Sequence, residues 1–535
     1  MKFQNVFKNR VFIGSVLFTA FLYLCEEFLF GFPQSIFFQT IFVYRPFDEQ
    51  LVAILSGIAS VALCFWFVWL SLSIPRKFQI IPISFVVLSS LIQYGFWKAV
   101  GRFMSSVDLQ IAGATPLETW TGASALYFNW QFLVPIIGFI IILSIFSEQK
   151  QKSIVVKQSI FLFLSLIGVC YIYTFTNKTL SIGASLPSFY QTIVHFGFEK
   201  IQSSARTEVK FQASNKPSNN IVLIIDESIR GDHLSINGYS RDTTPFLSQL
   251  SQEDDIFQNW GLAVAGATCS HPSNALILTG VRPGIDDFEL TQTYPTIFQY
   301  AKAMGYETYY LDAQTNSIWN GLNASDFENI NVWVKASELG DDIESDFRAA
   351  DRIAEILSNS TGKFIVLNKR GVHFLYEGSY PPTYEIWSPI PTDYYSQPEL
   401  VSNPYDNGIH YNVDAFFEHL LLDKSILQNT VILYTADHGQ TLFEDNATWL
   451  HCNYTPMEAT VPMLMIGKGL PIVKTENYIA SHSNILPTLL DLMNVPPDER
   501  KVTYAPSLFS SSLNSSNHHY FLDGGLNVIE FPKSK

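Results

Sequence analysis

Long apolar runs fill the first third of the chain, and only short ones occur in the rest. Five of the long runs have about 20 residues each, the length of helix that crosses the hydrocarbon core of a bilayer. They cover residues 11–31, 51–74, 78–101, 129–147 and 157–176. The pattern therefore predicts an N-terminal bundle of five transmembrane helices, and we take residues 1–176 as the transmembrane domain.

The basic residues around these runs predict an orientation. They cluster before the first run, between the second and third, and between the fourth and fifth, at Lys2, Lys8, Arg10, Arg76, Lys77, Lys150, Lys152 and Lys157. Five crossings place all three clusters on one side, and basic loops mark the cytoplasmic side of a membrane. We expect a cytoplasmic N-terminus, with everything after residue 177 on the opposite side.

The pattern changes after the last run. Residues 177–219 are polar and rich in Ser, Lys and Asn, which indicates a linker or an interfacial bridge. From residue 220, short continuous apolar runs alternate with helical stretches, at 221–226, 307–313, 363–371 and 431–437. Such strands are buried on both faces, and their alternation with helices predicts an α/β domain with a mostly parallel sheet over 220–535.

Composition narrows the choice of function. The formal net charge is −15 and charged residues make up only 15% of the chain. A strongly acidic chain argues against nucleic-acid binding, which needs a basic face. It does not argue against an anionic substrate, because a bound metal ion reverses the local field. Only Cys269 and Cys452 lie in the polar half, so a single bridge between them remains open.

Acids and histidines follow several of the predicted strands. Asp226 and Glu227 end the first strand, Asp437 and His438 end the last, and His373 follows the third. Ligands of parallel sheets bind beyond the carboxyl ends of the strands. A lone acid there is more often a cap and a lone histidine a satisfied core group. Their shared position on separate strands instead favours a divalent metal such as zinc.

A nucleophile is predicted within residues 264–280. Small residues there lead to hydroxyls at Thr268, Ser270 and Ser273, followed by a helix-like apolar run. Helix N-termini favour anions such as a phosphate in transfer, and a metal-bound hydroxyl becomes a stronger nucleophile. The competing interpretation is an ordinary helix cap.

Taken together, these motifs resemble one enzyme family. The resemblance rests on Glu227, Arg230, Asn237, Gly238, Tyr239, Arg241, Pro245, the Thr268 segment, Asp437, His438, Gly439, Leu450 and His451. Their order is similar to that of the phosphoethanolamine transferases of the alkaline phosphatase and sulfatase superfamily. That group includes the lipid A transferases that cause polymyxin resistance. The resemblance implies a five-helix membrane bundle followed by a sulfatase-like catalytic domain.

The family's pattern also implies roles for individual residues. One Zn²⁺ would be bound by Glu227, Thr268, Asp437 and His438, with Thr268 as the nucleophile. A group binding the substrate or a second metal would comprise His373, His451, Asn368 and Ser273. Asn368 stands where relatives often have a further histidine, so this second group departs from the family's pattern.

Two hydroxyls compete for the role of nucleophile. Thr268, with Ser273 five residues later, reproduces the spacing of the transferases. Ser270 instead resembles the sulfatase residue that becomes formylglycine, although Asn274 replaces the arginine of that motif. We therefore prefer Thr268 and keep Ser270 as the alternative.

The resemblance implies a complete reaction and a location. Phosphoethanolamine would pass from phosphatidylethanolamine, through a threonine adduct, to lipid A, the lipopolysaccharide core or another envelope glycan. The enzyme would lie in a bacterial inner membrane with its catalytic domain in the periplasm. The alternatives are a membrane-anchored sulfatase or phosphodiesterase and a phosphoglycerol transferase. A non-catalytic relative is disfavoured because Glu227, Thr268, Asp437 and His438 are all present.

Overall fold

The chain divides into two units, Met1–Ser203 and Ser204–Lys535. The computed structural model describes residues 10–29, 47–100, 103–104, 130–147, 185–199, 206–214, 216–253, 256–316, 320–340, 342–359, 361–392, 394, 397–444, 451–470, 478–511, 513, 518–524 and 526–532. The first unit is helical and the second is built around a β-sheet. The domain boundaries at 176 and 219 stay predictions.

The first unit consists of apolar helices. They are α1 Arg10–Leu29, α2 Phe47–Ser73, α3 Ile80–Val100, α4 Leu133–Phe146 and α5 Ser185–Glu199. Among the described residues, two segments, Arg10–Phe28 with 19 residues and Arg76–Gly95 with 20, are long and apolar enough to cross a membrane. The first four predicted spans fall on α1 to α4. The fifth, 157–176, lies outside the described residues, so the number of five spans stays a prediction.

A buried carboxylate connects three helices of this unit. Glu26 of α1 is fully buried, and its Oε1 accepts hydrogen bonds from the Tyr94 hydroxyl at 2.9 Å and the Ser185 backbone N–H at 2.7 Å. Tyr94 lies on α3 and Ser185 begins α5. Apolar contacts also join the helices, such as the Phe18–Phe139 ring pair at 4.9 Å between α1 and α4.

The second unit alternates strands and helices. Its strands are β1 Asn220–Asp226, β2 Phe257–Val264, β3 Glu307–Asp312, β4 Val332–Val334, β5 Lys363–Asn368, β6 Thr430–Ala436, β7 Thr460–Gly467, β8 Tyr520–Leu522 and β9 Val528–Glu530. Its α-helices are α6 Pro245–Leu250, α7 Ser270–Thr279, α8 Ile297–Ala303, α9 Ala336–Leu339, α10 Ser345–Asn359, α11 Ser402–Ile409, α12 Phe416–Leu420 and α13 Ile485–Leu492. A π-helix, His410–Ala415, joins α11 to α12.

Seven strands form one mixed, mostly parallel sheet in the order β2-β7-β6-β1-β5-β3-β4. Strand β1 is parallel to both β5 and β6, and β3 is parallel to β5 and β4. Only β7 runs against its neighbours, β6 and β2. The predicted α/β architecture is therefore confirmed, with one reversed strand that the apolar runs did not reveal.

The apolar runs form the centre of this sheet because helices cover both of its faces. Every residue of β1, β6 and β7 is buried. Strands β5, β1 and β6 are adjacent and parallel, so their carboxyl ends meet at one edge. Glu227, Asn368 and Asp437 stand at these three ends, and the candidate site lies there.

Candidate active site

Three predicted metal ligands converge at this edge of the sheet. Glu227, Asp437 and His438 each offer one ligand atom, and these atoms lie within 4.8 Å of one another. The His438 Nε2 atom is 3.6 Å from Glu227 Oε1 and 3.6 Å from Asp437 Oδ2. All three side chains are buried. The register of β1 and β6, which pairs Asp226 with Ala436, brings the following residues side by side.

Two atoms of this cluster are left available for a ligand. Asp437 Oδ1 accepts hydrogen bonds from the backbone N–H groups of Ser228 at 3.1 Å and His438 at 2.7 Å. Asp437 Oδ2 is buried and has no hydrogen-bond partner among the residues that the structure describes. His438 Nδ1 lies 2.7 Å from the Gly439 carbonyl oxygen. A carbonyl only accepts, so Nδ1 carries the proton and Nε2 presents a lone pair, as in a metal-binding histidine.

The electrostatics of the cluster also favour a cation. Burial, and then the neighbouring Glu227 carboxylate, raise the pKa of Asp437 well above its usual value. Burial opposes ionisation of Glu227, yet His438 and His373 hold the pKa of Glu227 below its usual value. Burial lowers the pKa of His438. Within the described part of the chain, the ion pairs of these carboxylates involve only His438, so a bound cation would supply missing charge.

The neighbouring acid, Asp226, is occupied elsewhere. Its Oδ2 accepts hydrogen bonds from Lys369 Nζ at 2.6 Å and the Tyr434 hydroxyl at 3.0 Å. Its Oδ1 accepts from the Glu227 backbone N–H at 3.0 Å. Of the two successive acids at the end of β1, only Glu227 is therefore free to bind a metal.

The two candidate nucleophiles point in different directions. Ser270 begins α7, and its Oγ lies 3.3 Å from Glu227 Oε2 and 3.1 Å from His438 Nε2. Thr268 Oγ1 instead donates a hydrogen bond to the Asn453 carbonyl oxygen at 2.7 Å. The geometry thus favours Ser270, the alternative, and does not bring the Thr268 hydroxyl to the cluster.

Backbone contacts explain this orientation. The Thr268 N–H donates to the Leu522 carbonyl of β8 at 2.8 Å, and the Thr268 carbonyl accepts from the Cys452 N–H at 2.7 Å. These bonds turn the residue toward β8 and the loop that contains Cys452. The next residue, Cys269, forms a disulfide with Cys452, with Cα atoms 4.7 Å apart. The bridge left open by the sequence is therefore present.

Two of the predicted second-group residues border the cluster. The rings of His451 and His438 lie 4.3 Å apart, centroid to centroid, and His451 Nδ1 is 3.0 Å from Gln440 Oε1. His373 is exposed, with its Nδ1 2.6 Å from the Phe374 carbonyl oxygen. His373 acts on Glu227 through its charge.

The other two predicted residues support the framework. Ser273 is buried in α7 and donates a hydrogen bond to the Asp437 backbone carbonyl. Asn368 is buried at the end of β5, and its Nδ2 donates to Asp312 Oδ1 at 3.1 Å. Ser273 fixes the turn that carries Asp437, whereas Asn368 makes its described side-chain hydrogen bond away from the three ligands.

The sequence did not predict two side chains that contact the candidate metal ligand Glu227. Gln314 Nε2 donates hydrogen bonds to Glu227 Oε2 at 2.9 Å and to the Lys369 carbonyl at 2.7 Å. The Ser228 hydroxyl donates to Glu227 Oε1 at 2.6 Å. Gln314 follows β3 by two residues, so the rule that polar groups collect beyond strand ends would have found it. No local pattern distinguishes Ser228.

A family model described as Sulfatase matches residues 219–495, more than half of the chain. The chain belongs to the sulfatase family. The match begins just before β1 and ends just after α13, and it contains Glu227, Ser270, Asp437 and His438. Membership of this family agrees with the sulfatase-like architecture of the second unit.

Relatives of this sulfatase-family chain include phosphoethanolamine transferases. It is 30% identical over 253 residues to the "Kdo(2)-lipid A phosphoethanolamine 7''-transferase" of Escherichia coli K12, which covers 45% of this chain and 42% of the relative. It is 24% identical over 244 residues to "Phosphoethanolamine transferase EptC" of the same strain, again covering 42% of that protein. The chain thus spans less than half the length of these curated relatives. The resemblance to this family is confirmed.

Among solved structures, the fold is shared over nearly the whole chain with one integral membrane protein. This is the lipooligosaccharide phosphoethanolamine transferase A of Neisseria meningitidis, with a TM-score of 0.61 and 17% identity, covering 89% of this chain and 95% of that one. The periplasmic domain of Escherichia coli EptC in complex with Zn has a TM-score of 0.51 and 20% identity, covering 60% and 94%. At these identities the likeness establishes the fold.

Proposed function

We propose that this chain transfers phosphoethanolamine from phosphatidylethanolamine to an envelope lipid or glycan through a covalent adduct on Ser270. The observation that carries the proposal is the position of Ser270 Oγ, which lies within hydrogen-bond distance of both Glu227 and His438. The choice of transferred group is supported by the similarity to the Escherichia coli Kdo(2)-lipid A phosphoethanolamine 7''-transferase and to EptC. Ser270 replaces Thr268 in this role because the Thr268 hydroxyl is bonded elsewhere.

The residues that would hold a Zn²⁺ ion are Glu227, Asp437, His438 and Ser270. Their fit rests on the unpartnered Asp437 Oδ2 and on the His438 tautomer, which leaves Nε2 as a lone pair. Carboxylate and imidazole ligands suit this metal. When bound, zinc would act as a Lewis acid on the phosphoryl group and lower the pKa of the serine hydroxyl. His373 and His451 would stabilise the charge of the phosphoryl group or assist proton transfer.

In the first half of the reaction, Ser270 Oγ forms a bond to phosphorus while the bond between phosphorus and the glycerol oxygen breaks. The serine proton passes to Glu227 Oε2, 3.3 Å away. The leaving glycerol oxygen takes a proton from His451, whose ring lies against His438, and diacylglycerol departs. His451 is held for this role by Gln440, and proton transfer of this kind is ordinary general acid catalysis.

In the second half, an acceptor hydroxyl or phosphate attacks the phosphorus of the adduct. The acceptor hydroxyl, or the P–OH group of a singly protonated phosphate acceptor, gives its proton to His451, and Ser270 Oγ recovers the proton from Glu227. All groups of the chain then return to their starting states. The start of α7 at Ser270 directs backbone N–H groups at the transferred phosphate, and a helix N-terminus favours negative charge.

The first unit would hold the donor lipid at the membrane surface. We place the N-terminus in the cytoplasm, residues 1–176 in the inner membrane, 177–219 as a bridge, and 220–535 in the periplasm. The three basic clusters on one predicted side support this topology. The apolar helices α1 and α3 and the fold shared with an integral membrane protein agree with it.

The deciding experiment is mass spectrometry of the detergent-purified full chain after incubation with phosphatidylethanolamine and zinc. We expect a phosphoethanolamine adduct on the peptide that contains Ser270, release of diacylglycerol, and loss of both with a chelator. Ser270→Ala should form no adduct, whereas Thr268→Ala, the matched control, should still form one. An adduct on Thr268 would overturn the assignment of Ser270.

Two further outcomes separate the rival functions. An adduct formed from phosphatidylglycerol but not from phosphatidylethanolamine would identify a phosphoglycerol transferase. Rapid release of free phosphoethanolamine, with no transfer to added lipid A, would identify a phosphodiesterase. Hydrolysis of a sulfate ester, with no phospholipid turnover, would identify a sulfatase.

A further inference from the structure

Ser228, between the metal-ligand candidate Glu227 and Ile229, has an unusual backbone. Its φ is +61°, in the left-handed region that residues other than glycine and asparagine rarely enter. The residue is fully buried. Left-handed conformations at such positions persist where surrounding contacts hold them, and they cluster at functional sites.

All three polar groups of Ser228 are bonded. Its N–H donates to Asp437 Oδ1 at 3.1 Å, and its hydroxyl donates to Glu227 Oε1 at 2.6 Å. Its carbonyl accepts a hydrogen bond from the Tyr405 hydroxyl at 2.6 Å. Tyr405 is fully buried, and its oxygen in turn accepts from the Arg230 N–H at 2.9 Å. Ser228 thus donates a hydrogen bond to each of two carboxylates, those of Glu227 after β1 and Asp437 after β6.

These bonds also decide which oxygens remain available. Because the Ser228 and His438 N–H groups occupy Asp437 Oδ1, the unpartnered oxygen of Asp437 is Oδ2. This is the oxygen 3.6 Å from His438 Nε2. On the Glu227 side, the Ser228 hydroxyl restrains Oε1, whereas Gln314 and Ser270 contact Oε2.

We infer that Ser228 is a positioning residue that sets the Glu227 and Asp437 carboxylates for a divalent cation. Its left-handed backbone is what allows the N–H and the hydroxyl of one residue to reach both acids. This inference rests on the metal centre of the proposed function. Ser228 acts through the Glu227 and Asp437 carboxylates. The Tyr405 hydroxyl holds the Ser228 backbone in place through its hydrogen bond to the Ser228 carbonyl.

The test compares Ser228→Gly with Asn494→Gly in the full chain. Glycine adopts φ > 0 readily, so Ser228→Gly removes the hydroxyl without straining the backbone. Asn494 has a φ of +58° and is exposed after α13, so its replacement controls for changing a left-handed residue to glycine. Zinc dissociation constants are measured by chelator competition, together with the Tm of each metal-free protein.

We expect Ser228→Gly to weaken zinc binding by roughly 10- to 100-fold, the usual effect of losing a group that orients a metal ligand. The Tm of the metal-free protein should fall only slightly, because one hydrogen bond is lost while the left-handed backbone is relieved. The d–d spectrum of the Co²⁺-substituted protein should change. Asn494→Gly should alter neither property. Ser228→Ala, which keeps Cβ, should reproduce the loss of affinity if Ser228→Gly fails to fold.

Contrary outcomes are equally clear. Wild-type zinc affinity and an unchanged Co²⁺ spectrum in Ser228→Gly would overturn the positioning role. A lower Tm of the metal-free protein with no loss of zinc affinity would reduce Ser228 to a structural residue. Failure of the wild type to bind zinc would overturn the metal centre and this inference together. Zinc binding without an adduct from phosphatidylethanolamine would overturn the donor alone.

Discussion

Two buried acidic centres begin one residue apart at the end of β1, and they are built in opposite ways. In the first, Asp226 pairs with the fully buried Lys369 at 2.6 Å, and the Lys369 ammonium also lies 4.0 Å from the centre of the Phe416 ring. In the second, Glu227 and Asp437 have His438 as their one ionisable partner among the described ion pairs. One oxygen of Asp437 has no hydrogen bond.

The Asp226 pair has the features of a structural ion pair, and the Glu227 cluster has those of a functional site, although both lie at the same edge of the sheet. A buried charge that the chain neutralises itself holds elements together, and it tolerates little change. A centre with too much buried negative charge is destabilising in the protein alone, and strongly perturbed groups of this kind mark functional sites. The Asp226 carboxylate therefore has a cationic partner within the chain, whereas the Glu227 centre holds buried negative charge that a bound cation would neutralise.

The largest expected effect is on activity. Asp437→Asn should abolish zinc binding and slow adduct formation by at least ~1000-fold, because a metal contributes several kcal/mol of transition-state stabilisation. The Tm of the metal-free protein should be unchanged or higher, since the change removes like-charge repulsion with Glu227. Zinc content, adduct mass and calorimetry measure the three quantities. A marked fall in the Tm of the metal-free protein would show that Asp437 stabilises the fold, as the Asp226 centre does, and would contradict the distinction between the two centres.

The next effect is on stability. Lys369→Met should lower the free energy of unfolding by about 3–5 kcal/mol, because it leaves Asp226 buried without its partner. Calorimetry of the detergent-purified chain should show a lower Tm. The double variant Asp226→Asn with Lys369→Met removes both charges of this pair and is the matched control. It should recover part of the loss, because the buried Asp346 carboxylate, 3.8 Å from Lys369 Nζ, also loses its partner. Equal losses in both variants would show that the pair is not the cause.

The pH dependence should distinguish the centres more finely. The pKa of Asp437 is raised in the folded protein, so its contribution to stability is fully present below the unfolded value of about 3.9. That contribution is lost as pH rises through the folded pKa, by up to about 1.4 kcal/mol per pH unit. The pKa of Glu227 is held below its usual value, so Glu227 contributes in the opposite sense, with stability that is present above its unfolded pKa and lost as pH falls.

Two comparisons isolate this effect. The metal-free wild type should lose stability relative to Asp437→Asn as pH rises above 4, and saturating zinc should remove the difference because the metal displaces the proton. Tm values measured across pH with and without zinc provide the test. Parallel pH profiles for the two metal-free proteins would contradict the raised pKa.

The smallest effect concerns Thr268. Thr268→Ala should cost about 1 kcal/mol of stability through the lost hydrogen bond to Asn453, and adduct formation should change only a few-fold. Calorimetry and adduct mass spectrometry check both. A loss of activity as large as that of Ser270→Ala would return the nucleophile to Thr268.

The part of the candidate site that directly follows the parallel strands could be predicted from the sequence. Continuous apolar runs indicate parallel strands, and parallel strands align their carboxyl ends. Glu227, Asp437 and His438 were identified for this reason. The reversal of β7 was not predicted, because a buried strand has the same apolar pattern in either direction.

The local sequence could not decide whether Thr268 or Ser270 lies beside the candidate metal ligands. Thr268 is turned away by bonds to Asn453 and Leu522, residues far along the chain. Motif spacing carries no information about such distant partners. The left-handed conformation of Ser228 could not be predicted for a related reason, since it is maintained by Asp437 and other groups that are remote in sequence.

The disulfide between Cys269 and Cys452 bears on how the enzyme is assembled in the cell. The two cysteines are separated by 183 positions, and β3, β4, β5 and β6 all lie between them. Such bonds form in oxidising compartments. Ser270 and His451, each next to one of the cysteines, are therefore linked only after β3 to β6 have been synthesised and the chain has met oxidising conditions. A copy kept in reducing surroundings contains both residues but lacks the covalent link between their neighbours.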